Sequence, residues 1–214
     1  MSAVPHVVTI SASYGAHGDK IGHAIAAQLK LPFLDRAIPP ATAHQLAQSA
    51  DMAESLDEPV PSRWERIAMG FANASTPLGP TTMPPEVVET PDRFRASSEA
   101  TLREIASTTG AVILGRAGMV VLADRPNVLC VRLDGPVESR IAQVVAQGVD
   151  EETARKGQRE VDKARDAYAR VFFNARQDDP RLYHVILDST ALSVEACVAI
   201  IIRAAEDRFK TLRP

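Results

Sequence analysis

Hydrophobic and polar positions along the chain follow two periods. His6-Val7-Val8-Thr9-Ile10-Ser11 is a short, β-branched, nearly all-apolar run, the pattern of a buried strand. It gives way to Ser13-Tyr14-Gly15-Ala16-His17-Gly18-Asp19, a glycine-containing loop. Ile21, Ala24, Ile25 and Leu29 then recur at helical spacing. Asp19 is placed to cap that helix and to complement its dipole. Leu31 to Asp35 reads as a second short strand. Beyond residue 91 the alternation becomes regular. The pattern predicts a helix over 92–109, a buried strand over 111–114 ending in Gly115-Arg116, and a strand over 127–133. Val137, Ile141, Val144 and Val145 mark a helix behind Pro136. Asp150 opens a long charged helix, a strand follows over 184–187, and the last helix carries Val194, Cys197, Val198, Ile201, Ile202 and Ala205 on one face. Buried strands alternating with amphipathic helices predict an α/β fold, a parallel sheet covered by helices on both faces.

The middle of the chain differs in texture. Nine of the 15 prolines fall between Pro39 and Pro91. Short helices are predicted over 41–50 and 62–74, the second with the apolar stripe Trp64, Ile67, Ala68 and Phe71. Residues 77–91 hold too much proline for a helix or a central strand. Residues 37–91 therefore read as a helical flap inserted into one domain, whose core is 1–36 and 92–214.

Composition narrows the picture. A chain of 214 residues is of single-domain size and buries enough surface to fold without disulfides or a structural metal. Its net charge of −3 argues against nucleic-acid binding by bulk positive charge, while leaving room for a local basic pocket. The longest apolar run, Ala196 to Ile202, is far short of a membrane span. The start Met1-Ser2-Ala3-Val4-Pro5 has no basic n-region, so no secretory signal is expected. Cys130 and Cys197 sit in apolar runs with no metal-ligand spacing and read as core residues of a reducing, cytoplasmic compartment. The expected state is a monomer or a homodimer, the latter if the Trp64 stripe is exposed.

The candidate chemistry lies at the ends of predicted strands. A glycine loop between a strand and a helix turns backbone N–H groups toward one point, and the helix N-terminus adds partial positive charge. Gly15, Ala16, His17, Gly18 and Asp19 are thus candidate phosphate ligands, although such spacing also describes a plain turn. The full pattern G-x-x-x-x-G-K-[ST] is absent, and Lys20 follows Gly18 by two residues. Arg116 follows a strand end, where it can meet a substrate phosphate. The charged helix, a stretch of about 150–176, presents Arg155, Arg159, Asp162, Lys163, Arg165 and Arg170. Three- and four-residue spacing puts Arg159, Asp162 and Arg165 near one face. A solvated, salt-bridged helix and a lid that delivers arginines onto phosphates share this pattern.

The order of these pieces resembles the cytidylate kinase-like family. The resemblance rests on the stretch from Val8 to Gly18, on Leu31-Pro32-Phe33-Leu34-Asp35-Arg36, Ile113-Leu114-Gly115-Arg116 and Asp124-Arg125-Pro126-Asn127-Val128. Asp162-Lys163-Ala164-Arg165 and Leu187-Asp188-Ser189-Thr190-Ala191-Leu192-Ser193 continue it. It covers residues 6–36 and 111–204 in order. It implies a P-loop, nucleoside monophosphate kinase-like fold and transfer of the γ-phosphoryl group of ATP to CMP or dCMP with magnesium. By this resemblance Gly15 and Gly18 lie on the phosphates, Asp35 begins the monophosphate flap, and Arg116 meets the acceptor phosphate. Asp162 faces the cytosine side, and Arg165 the transferring group. Lys20, Arg159 and Arg165 are the candidate catalytic cations, and no protein metal ligand is expected.

The departures carry information too. Gly18 stands in the lysine place of the loop and Lys20 in the hydroxyl place. Ala41 replaces an arginine expected six residues after Asp35, and Ala117 an aspartate after Arg116. Three functions therefore stand side by side: a nucleoside monophosphate kinase, a nucleotide-binding regulator without turnover, and a kinase of another small metabolite.

Overall fold

The computed structural model describes residues 5–35 and 91–210. Strand β1 (Val7–Ala12) leads into helix α1 (Gly18–Leu29) and strand β2 (Phe33–Asp35). From residue 91 onward come α2 (Pro91–Thr108), β3 (Ala111–Leu114) and the short α3 (Gly118–Val121). Then follow β4 (Val128–Asp134), α4 (Val137–Val145), the long α5 (Glu151–Phe173), β5 (Val185–Asp188) and α6 (Val194–Lys210). The predicted helices over 41–50 and 62–74, the Trp64 stripe and the proline-rich stretch lie outside the described residues.

All five strands pair in parallel, in the order β2-β3-β1-β4-β5. Every residue of β1 is buried, as a central strand covered on two faces requires. Side chains of alternate parity feed two cores. On one face Val7, Ile113, Val128 and Cys130 pack with Leu102 of α2, Met119 of α3, and Tyr168 and Phe172 of α5. On the other, Val8, Ile10, Leu129 and Val131 pack with Ile21 and Ile25 of α1 and with Cys197, Val198 and Ile201 of α6. Both cysteines are buried and free.

The strand expected over 184–187 is β5, which lies at the sheet edge and alternates, with Ile186 half exposed. Two local expectations are corrected. Helix α4 turns Ile141, Val144 and Arg140 inward and leaves Val137 and Val145 exposed, because its partners are the β1–α1 loop and α5. The N-cap of α1 is His17, in the left-handed conformation and without a side-chain cap bond. Asp19 lies inside the first turn and pairs instead with His23 at 3.5 Å.

The sheet order fixes where a ligand belongs. The chain leaves β1 toward one edge, to β2, and leaves β4 toward the other, to β5. The crevice beyond the carboxyl ends of these two neighbours is the topological switch point, where open α/β sheets bind ligands.

Candidate functional site

The loop from Ser13 to His17 fills that position. Gly15 has φ +79°, and a Cβ there would lie 2.4 Å from the backbone oxygen of Arg140, so no other residue fits without moving α4. Ala16 is fully buried, and its carbonyl accepts from the Ser189 hydroxyl at 2.9 Å. Because His17 offers no cap, the N–H groups of Gly18, Asp19 and Lys20 have no partner within the helix. They point beyond the start of α1, where the helix dipole favours an anion. Burial first, and the Lys20 charge second, hold the His17 imidazole below its ordinary pKa. Lys20, on the exposed first turn, thus lies near enough to the loop to be felt there.

Position 18, the lysine place by resemblance, is closed to side chains. A Cβ on Gly18 would meet the Ala12 Cβ at 2.6 Å and Leu114 Cδ1 at 3.1 Å. The start of α1 therefore lies directly on the ends of β1 and β3.

Helix α5 reaches the same junction from above. Asp150 caps it, accepting from the Thr153 N–H at 2.9 Å, as the sequence suggests. Arg165 Nη1 donates to the Ala12 carbonyl at 2.6 Å. Asp162 Oδ1 accepts the Tyr14 N–H at 2.7 Å, and its Oδ2 accepts from Arg140 Nη1 at 2.7 Å and Gln158 Nε2 at 3.1 Å. The structure so brings Asp162, Arg165 and the loop together. It does not bring Arg159 to them: that side chain is exposed. Arg155 is turned away, bound to Glu138 and Glu151.

Arg116 follows β3 in an unusual run, with Gly115, Arg116 and Ala117 all at positive φ (80°, 58° and 51°). Left-handed non-glycine residues in succession are costly and cluster at functional sites. The Arg116 charge is felt at Tyr168 of α5, where it counters burial, which pushes the phenol up to about 12. Asp35 ends β2, in register with Leu114.

Several polar residues escaped the sequence reading. A pocket of about 220 Å³ opens between the ends of β1 and β4 and helix α5, lined by Ser13, Arg132, Asp134, Arg140, Asp162 and Arg170 among others. Arg132 donates to Asp134 Oδ2 at 2.8 Å and to the Ser13 hydroxyl at 3.1 Å, and its guanidinium faces the Tyr183 ring at 5.9 Å. Burial pushes the Asp134 carboxyl up, but the Ser13 hydrogen bond and the Arg132 charge outweigh it and hold the group below its usual value. The only signal in the sequence was the Arg-x-Asp pair at the end of a strand.

A parallel sheet whose first strand feeds a glycine-containing loop and a bare helix N-terminus, with an arginine-bearing helix laid over it, defines a P-loop, nucleoside monophosphate kinase-like fold. The chain matches the model of the cytidylate kinase-like family over residues 7–191 and belongs to that family. Among solved structures it is similar to an uncharacterized protein from Eubacterium ventriosum ATCC 27560, with 18% identity and a TM-score of 0.62 over 94% of this chain and 98% of that one. A gluconokinase from Sinorhizobium meliloti 1021 aligns at 16% identity and TM-score 0.48, over 99% of this chain and 100% of that one. A deoxyadenosine kinase from M. mycoides with bound dATP aligns at 10% and 0.49, over 93% and 98%. No curated protein matches the chain in sequence.

Proposed function

We propose that the protein transfers the γ-phosphoryl group of ATP to a nucleoside monophosphate, CMP or dCMP, as a single domain with residues 37–91 as its monophosphate flap. The observation that carries this reading is the meeting of Arg165, Asp162 and the loop at the end of β1. Phosphoryl transfer asks a protein mainly for positioning and for positive charge at the transferring group. The backbone of Gly15 to Asp19 would hold the donor phosphates, with Lys20 beside them. Arg165, three residues from Asp162 on the same helix face, would follow charge as it moves from the γ-phosphorus to the leaving oxygen. Arg116 would orient the acceptor phosphate, with Asp35 at the base of the flap and Asp162 toward the acceptor nucleoside. Arg159 gains a role only if α5 rotates its outer face toward the cleft. Magnesium would be carried by the nucleotide, held largely by phosphate oxygens.

The closed position 18 favours a second reading, a nucleotide-binding regulator without turnover. The deciding experiment is a coupled assay with ATP-magnesium over a panel of monophosphates and small hydroxylated metabolites, on the natural protein and on Arg165→Ala. The expected result is turnover with CMP or dCMP, reduced about a thousandfold or more by Arg165→Ala, with monophosphate affinity changed far less. Binding without turnover across the panel selects the regulator. Turnover and affinity both intact in the variant would remove Arg165 from the site.

A further inference from the structure

Arg140 stands on the inward face of α4 beside Ile141 and Val144, and its side chain is 6% exposed. Burying a guanidinium is costly unless its donors are answered. Here Nε donates to the Gly135 carbonyl at 2.9 Å. Nη1 donates to the Tyr14 carbonyl at 2.8 Å and to Asp162 Oδ2 at 2.7 Å. The Asp134 carboxylate lies 3.6 Å from Nε. Since Asp162 Oδ1 accepts the Tyr14 N–H, the three residues form a closed ring. Both backbone groups of Tyr14 are held, one by Arg140 and one by Asp162, and these two hold each other. The ring joins the loop to α4 and α5, two helices more than a hundred residues further along the chain. The Arg140 carbonyl also backs Gly15, and the Tyr14 ring packs with Ile141, Val144 and Ala154.

We propose that Arg140 is a positioning residue that locks the phosphate loop to the arginine-bearing helix, so that both enter the reaction as one preassembled unit. It acts through Tyr14 and Asp162. Its consequence for turnover rests on the kinase reading, but its consequence for the loop does not.

The test uses the full chain as Arg140→Gln, Arg140→Lys, Asp162→Asn and the double variant Arg140→Gln/Asp162→Asn. Two readouts are independent of activity: hydrogen exchange at the Tyr14 amide, and calorimetric binding of inorganic tripolyphosphate. Arg140→Gln removes the charge-assisted bond to the Tyr14 carbonyl and the ion that holds Asp162 against the Tyr14 N–H, so exchange at Tyr14 should speed about tenfold or more, while Val8 and Ile10 stay protected. Lysine, a point charge without the planar fork, should fail to restore it. Asp162→Asn, only partly buried and able to accept the Tyr14 N–H still, should show the same effect more weakly. Tripolyphosphate affinity should fall with loop exchange, and the double variant should be no worse than Arg140→Gln, since members of one ring are not additive. Tyr14 exchange unchanged in both Arg140→Gln and Asp162→Asn would overturn the proposal. So would exchange raised equally in β1, which marks plain loss of fold. Absence of turnover in the natural protein, with the exchange result as expected, would discard the kinase reading and leave the lock standing.

Discussion

Restoring the lysine of the family pattern at position 18 should damage this protein instead of activating it. A Cβ at Gly18 lies 2.6 Å from the Cβ of Ala12, well inside any real contact, and Ala12 is buried backbone-proximal core with nowhere to swing. Leu114 Cδ1, at 3.1 Å, blocks the other side. Forcing extra carbon into such a site costs about 1–3 kcal/mol. A cation in the first turn opposes the helix dipole by about 0.3–1 kcal/mol. Replacing glycine in a helix returns about 1 kcal/mol of propensity, which offsets the dipole cost and part of the crowding. The net loss is roughly 0.3–3 kcal/mol, which for a domain of this size lowers Tm by about 1–12 °C. Thermal melts of Gly18→Ala and Gly18→Lys, followed by circular dichroism, separate the Cβ from the charge. Gly18→Ala should lose most of what Gly18→Lys loses. A Gly18→Lys protein that melts at or above the natural temperature, or that turns over ATP tenfold faster, would refute the packing argument.

Other outcomes follow from the same loop. Gly15→Ala should lower Tm more than Gly148→Ala. Both sites have positive φ, at about 1–2 kcal/mol for an L residue, but only Gly15 also faces a backbone oxygen, whereas nothing lies within 4 Å at Gly148; equal losses would contradict this. The His17 imidazole is held below its ordinary value by burial and by Lys20, so the folded state prefers it neutral. Its stabilising contribution is therefore present above the unfolded pKa, about 6.5, and is lost as pH falls through that value toward the folded one. A polyphosphate seated on the loop reverses the local field, so NMR titration with tripolyphosphate should move the His17 pKa upward; an unmoved pKa would show that the loop takes no anion. Lys20→Ala, at an exposed first-turn position, should weaken ATP binding by less than about 1.4 kcal/mol, or tenfold, in calorimetry. A thousandfold loss would make Lys20 the functional lysine.

Periodicity determined much of this protein without help. The apolar runs placed all five described strands and bounded α2 to within a residue and α5 to within three, because burial on two faces leaves a continuous apolar signature in β1, β3 and β4 and a 3.6-residue one in the helices. The glycine loop, the Asp150 cap and the three-residue step from Asp162 to Arg165 are local features, and they were legible for that reason. Tertiary structure alone decided the rest. Sheet order made β5 an edge and exposed Ile186, a matter of which strand pairs with which. The approach of α1 to Ala12 and Leu114 closed position 18, where the sequence showed only a glycine out of pattern. Arg140 was hidden most completely. A pattern that reads charge as outside assigns it to solvent, yet its partners lie 126 and 22 positions away, at Tyr14 and Asp162. A buried charge is made tolerable by groups that only folding brings to it, and that compensation leaves no periodic trace along the chain.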